Sequence, residues 1–166
     1  MNKHTLAVTV ENKSGVLTRV TTLFRRRGYN IDSLTVGTTE NPGISRMTIV
    51  VEGDDKVIEQ VSKQLYKLVD VCKVVDITQD RSVDRELVLI KVKADNNVRS
   101  EIVQLVDIFR ARIVDIGRTS LIVEATGDRG KIDALEESFR PFGIIELVRT
   151  GKVAMVRGTS EDIKKG

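Results

Sequence analysis

Apolar residues recur along this chain at two spacings, and the switches between them mark out its elements. Residues 4–10 alternate loosely and read as a strand whose last inward positions are Val8 and Val10. Val16, Leu17, Val20, Leu23 and Phe24 then fall at helical spacing, predicting an amphipathic helix over 15–27 closed by Gly28. Tyr29-Asn30-Ile31 leads into a second strand at about Ser33–Thr38, and Asn41-Pro42-Gly43 is a turn signal. Met47, Ile49 and Val51 alternate within 44–51, so 33–51 reads as a hairpin. Gly53-Asp54-Asp55 caps a helix carrying Val57, Ile58, Val61, Leu65 and Leu68, and a strand follows at about 71–77.

The polar, aperiodic stretch 78–84 interrupts this grammar, which then repeats. Glu86–Lys93 is a strand with Val88, Ile90 and Val92 on one face. Asn96-Asn97 opens a helix with Val98, Ile102, Leu105, Val106 and Phe109. Arg112–Ile116 and Leu121–Ala125 form a hairpin. Thr126-Gly127-Asp128 caps a helix with Ile132, Leu135 and Phe139, and Ile144–Arg149 is a strand that Val153–Val156 would extend. The expected class is α+β: two ferredoxin-like (βαββαβ) domains in tandem, each an antiparallel sheet in strand order 4-1-3-2 with helices on one face. The expected boundaries are residues 3–78, a linker at 79–84, a second domain at 85–157 and a flexible tail at 158–166. Domains of this size are marginal alone. The second strand is an edge without Lys or Pro, so Ser33, Leu34 and Val36 are expected to pair with a second copy across a two-fold axis.

Composition narrows the function. The chain has 166 residues, is 31% charged with a net charge of +3, and intersperses the two signs, which is weak support for nucleic acid. Aromatic residues are 4% of the chain, and the strands that an RNA-recognition fold would use, His4–Val10 and Ile44–Val51, contain none. No segment is left over for a helix-turn-helix. Cys72, the only cysteine, lies among valines and is expected to be buried. No signal peptide or membrane span is visible, so a cytoplasmic location is expected. His4 is the only histidine, beside the terminus with nothing nearby to orient it, so neither a nucleophilic triad nor a metal site is expected. Asp54-Asp55 and Glu136-Glu137 read as solvated surface. Gly127-Asp128-Arg129-Gly130-Lys131 lacks the spacing of a phosphate loop and reads as a helix cap. The run Arg25–Arg27 reads as a solvated helix face, with an acidic partner surface as the other option.

The turn Asn12-Lys13-Ser14-Gly15 remains. Any strand-turn-helix connection uses such turn and cap residues, and a helix start also suits a small carboxylate. Here the order of elements with Asn12-x-x-Gly15-x-Leu17 resembles the ACT domain, an amino-acid-binding module. Longer strings are closer still: Glu11 to Leu17 with Arg19-Val20, then Leu23-Phe24, Arg27 to Ile31 and Ser33 to Val36, then Ser45 to Ile49, and Gln64-Leu65 with Lys67 to Val71. In the second half Arg85-Glu86-Leu87, Ile108-Phe109-Arg110, Ile113-Val114-Asp115, Phe142-Gly143-Ile144-x-Glu146 and Arg149-Thr150-Gly151 continue the match. Together they resemble the small regulatory subunits of acetolactate synthase (acetohydroxyacid synthase). The resemblance implies a non-catalytic partner of a large subunit that holds thiamine diphosphate, Mg²⁺ and FAD, with no cofactor on this chain. It implies activation of that subunit, and feedback inhibition by valine bound between two ACT domains of a homodimer. Asn12, Ser14, Gly15, Val16 and Leu17 of one subunit would then face Asn30 and Ile31 of its mate. The alternative is an ACT-type amino-acid sensor that regulates a different enzyme.

Overall fold

The computed structural model describes residues 2–159 and contains, among them, nine strands and four α-helices. In chain order these are β1 (Lys3–Glu11), α1 (Val16–Arg27), β2 (Asn30–Thr38), β3 (Ile44–Glu52), α2 (Asp55–Tyr66), β4 (Val71–Asp76), β5 (Ser82–Lys93), α3 (Arg99–Ile108), β6 (Arg112–Ile116), β7 (Ser120–Gly127), α4 (Arg129–Phe139), β8 (Ile144–Arg149) and β9 (Val153–Val156). The chain divides into two units. The first takes the described residues up to Val83 together with those from Lys152 onward, and the second runs from Asp84 to Gly151.

In the first unit the sheet order is β2-β3-β1-β4, and every pairing in it is antiparallel. Alternation sends Leu6, Val8 and Val10 of β1 and Met47, Ile49 and Val51 of β3 to one face. There they meet Val16, Val20 and Phe24 of α1 and Ile58, Val61 and Leu65 of α2, which share one stripe of each helix. The second unit repeats the plan as β6-β7-β5-β8. Val88, Ile90 and Val92 join Leu121, Val123 and Ala125 over Ile102, Val106, Ile132, Leu135 and Phe139. Asp54 and Asp128 start α2 and α4, each carboxylate accepting from the third residue on, Val57 N–H and Lys131 N–H, at 2.9 Å. The fold class and the 4-1-3-2 order are those the periodicity implied, with β2 at an edge.

Several boundaries and local readings differ. β5 begins at Ser82, inside the stretch read as a linker. β2 begins at Asn30 rather than about Ser33, with a register shift between Ile31 and Ser33. α3 begins at Arg99, because Asp95 accepts from Asn97 N–H and holds 95–98 as a turn. Val153–Val156 does not extend β8. It is a separate strand, and it belongs to the first unit rather than to an 85–157 domain. It pairs with β5, and side chains of the first sheet hold the chain around it: Ser33 Oγ accepts from Lys152 N–H at 2.9 Å, Thr35 Oγ1 donates to Lys152 O at 2.8 Å, and Arg46 donates to Ala154 O at 2.7 Å. Ala154 and Val156 pack with Ala7, Ile77 and Val75 on the sheet face away from the helices. Of the expected tail 158–166, residues 160–166 lie outside the described residues.

Two side chains contradict the sequence reading. Cys72 is exposed, because pairing passes from Val10↔Val71 to Thr9↔Lys73 and leaves Cys72 as the extra residue of a bulge on an edge strand. His4 is buried within β1, with Nδ1 3.1 Å from Asp76 Oδ2 and Nε2 3.7 Å from Asp55 Oδ1. Burial pushes the Asp76 carboxyl up, but the hydroxyl and amide of Thr78 and the ring of His4 outweigh it and hold it below its ordinary value.

Truncating Phe139, fully buried in the second core, should cost about 3–5 kcal/mol as Phe139→Ala, and Asp128→Ala about 1 kcal/mol, in urea unfolding. Because the folded carboxyl of Asp76 is lowered, its contribution is present above the ordinary aspartate range and is lost as pH falls through the folded value. The stability gap between wild type and Asp76→Asn should therefore be full at neutral pH and close on acidification, read from urea midpoints across that range.

Candidate functional site

The turn after β1 is tied to the β2–β3 hairpin. Asn12 N–H donates to Gly43 O at 2.8 Å, and its side-chain Nδ2 donates to Pro42 O at 3.0 Å, which leaves the side-chain oxygen free to accept. Gly15 is the N-cap of α1, with φ +83°, in the left-handed region that favours glycine. No side chain caps this helix, so the capping expected of Ser14 is not made. The first helical bond is Arg19 N–H to Gly15 O, and Val16 N–H reaches Lys13 O only at 3.4 Å. Among the described residues no acceptor meets the N–H of Gly15, Leu17 or Thr18, and the first turn of α1 holds no acidic residue. Unpaired donors and the partial positive charge of a helix start therefore converge at this turn.

The side chains divide. Val16 is only 4% exposed and belongs to the core, so it can offer a ligand little more than backbone. Leu17 is 45% exposed and presents its apolar surface outward. At the start of β2, Asn30 Nδ2 donates to Glu52 Oε2 at 3.0 Å, again leaving the amide oxygen free, and Ile31 packs at the margin of the core. Within one chain these two groups are not brought together. Glu11 pairs with Ile44 at one end of β3, and Asn30 pairs with Glu52 at the other. The eight residue steps from Ile44 to Glu52 span about 26 Å at about 3.3 Å per residue.

A brace that the sequence reading did not single out fixes the turn. Arg19 Nε and Nη2 both donate to Asp70 Oδ2, at 2.8 and 2.5 Å, and Glu11 N–H donates to Asp70 O at 2.9 Å. The Asp70 side chain is 7% exposed. A lone aspartate closing the apolar run Leu68-Val69 just before Val71 was the available signal, since a buried carboxylate requires a partner. Among the described residues, no group of three or more His, Cys, Asp or Glu side chains could hold a metal ion, and no helix is long and apolar enough to cross a membrane.

Residues 6–73 match the family model of the AHAS small subunit-like ACT domain, and residues 85–158 match that of the small subunit of acetolactate synthase. A probable acetolactate synthase small subunit from Archaeoglobus fulgidus is 64% identical over 96% of this chain and 99% of its own length. An acetolactate synthase small subunit from Mycobacterium bovis is 53% identical over 93% of this chain and 92% of its own length. The crystal structure of the acetolactate synthase small subunit from Thermotoga maritima superposes with a TM-score of 0.90 at 46% identity, covering 96% of this chain and 99% of that one.

A Cβ at Gly15 would stand 3.1 Å from Arg19 Nη1 on a backbone that L residues avoid. Gly15→Ala should therefore destabilise the first unit by about 1–2 kcal/mol, read from urea unfolding. Gly28→Ala, also at positive φ but with open space around it, should lack the steric part of that loss.

Proposed function

The chain belongs to the small subunits of acetolactate synthase, and from that premise we propose that it is the non-catalytic regulatory subunit of a cytoplasmic complex, activating a large catalytic subunit and making it sensitive to valine. On this reading the large subunit carries thiamine diphosphate, Mg²⁺ and FAD, and condenses two pyruvates to 2-acetolactate, or pyruvate with 2-oxobutyrate. Valine binds between the first units of two copies. The observation that carries the proposal is the separation of the two half-sites along β3. Two β2 edges pairing antiparallel about a two-fold axis bring the Asn30 end of one chain to the Thr38 end of the other, beside the hairpin to which Asn12 is bonded.

The chemistry suits an amino acid. The unpaired N–H groups of Gly15 and Leu17 take the carboxylate. The free side-chain oxygens of Asn12 and Asn30 accept from the ammonium. Leu17 and Ile31 border the branched side chain. Valine then favours one packing of the paired units and the large subunit favours another. A coupling of about 1–3 kcal/mol between the two ligands suffices, and it acts equally in both directions.

Gly15→Asp places a carboxylate where that of the ligand would sit, and Asn30→His removes the amide acceptor. In holoenzyme reconstituted with the large subunit, both variants should retain most of the activation of pyruvate condensation. The valine concentration for half inhibition should rise at least about tenfold. Undiminished inhibition in both would refute the site.

A further inference from the structure

Beyond the proposed effector turn, α1 and the end of α2 border an open cleft of about 360 Å³ on the helical side of the first unit. Its floor is Leu23 and Leu68, which pack on the core. Its walls carry Arg19, Arg26, Arg27 and Lys67, with no carboxylate among the lining residues. Arg19, Leu23, Arg26 and Arg27 recur at three- and four-residue spacing and so share one face of α1. Arg19 is neutralised by Asp70, and Arg27 donates to the uncharged Gln64. Arg26 and Lys67 have no carboxylate within ion-pairing distance among the described residues. On α2 and α4 several acidic residues meet cations of this chain: Glu59 meets Lys63, Glu136 and Glu137 meet Arg140, and Asp133 meets Arg149. The cleft thus sets two cations without a carboxylate partner, Arg26 and Lys67, beside the amide-bonded Arg27, over an apolar floor.

We propose that this cleft is the docking surface for an acidic segment of the large catalytic subunit. The inference rests on the regulatory reading above and names the surface through which that regulation passes. Arginine-rich, partly apolar clefts suit protein interfaces, because guanidinium groups pair carboxylates in two places at once while their stems cover apolar area. Charge of one sign also speeds association with an oppositely charged partner and makes it sensitive to salt.

The experiment titrates the intact chain against its large subunit by calorimetry at low and high salt, using wild type, Arg26→Glu/Lys67→Glu and Arg26→Gln/Lys67→Gln. Each protein is also titrated alone with valine and with inorganic pyrophosphate, and its folding is checked by circular dichroism. The expected result is a dissociation constant raised at least about tenfold by the double glutamate variant and less by the glutamine variant. Wild-type binding should weaken with salt, the glutamate variant should lose that dependence, and valine binding should be unchanged in both variants. Unaltered affinity and salt dependence in folded variants would overturn the proposal. So would loss of pyrophosphate binding with association intact, which would mark a small-anion site instead. If the wild-type chain itself fails to bind the large subunit, the regulatory reading falls, and that failure is distinguishable because it precedes any substitution.

Discussion

An antiparallel sheet cannot bring the two ends of one of its strands together, and the first unit depends on that constraint. β3 is paired along its whole length with β1 on one side and β2 on the other. Its Ile44 end carries the turn with Asn12 and the uncapped start of α1, and its Glu52 end carries Asn30. Hydrogen-bonded pairing keeps these groups apart as firmly as it holds the sheet together. A small ligand that uses both must therefore use two copies, and β2, the edge strand, is where a second copy can add without breaking a bond.

The other face of the sheet shows how that edge stays available. The chain returns to the first unit at Lys152, and β9 lies over the face that the helices leave bare. Its backbone is held by the side chains of Ser33, Thr35 and Arg46 rather than by the backbone of β2. This strap, whose backbone pairs with β5 and not with β2, covers Ala7 and Ile77 and leaves the outward N–H and C=O groups of β2 unconsumed. Ser33 therefore has a structural partner of its own, besides any role at the edge expected from its place in β2.

The architecture was legible because it rests on local periodicity. Met47-Ile49-Val51 and Val88-Ile90-Val92 alternate, and Val16-Val20-Phe24 and Ile132-Leu135-Phe139 follow a helix, so element order and core followed from spacing alone. What failed depended on contacts distant in sequence. β9 was read as a continuation of β8 because the pattern of 153–156 is that of any short strand, whereas it pairs with β5 and the side chains that hold it, Ser33 and Arg46, lie over a hundred residues earlier. His4 looked unsupported because Asp76 is far along the chain, and Cys72 looked buried because a one-residue register shift leaves no trace in composition. At the turn, spacing did not separate backbone roles from side-chain roles. Gly15 caps without a side chain and Val16 turns inward, both consequences of the left-handed backbone at Gly15 and its packing.

Helix α1 links the two surfaces on which the function is proposed to rest. Its first turn carries the unpaired donors, and its flank forms one wall of the basic cleft. Twelve residues of α-helix span about 18 Å and move as one body. Arg19 stands where the two meet: it lines the cleft, it is paired with Asp70, and its guanidinium lies against the space beside Gly15. On the proposed reading, a ligand that draws the start of α1 towards a second copy would displace the wall on which the large subunit would dock, and docking would bias the turn in return. Reciprocal coupling of that kind needs no chain of relays, only one rigid element with two preferred seats and a ligand that favours each.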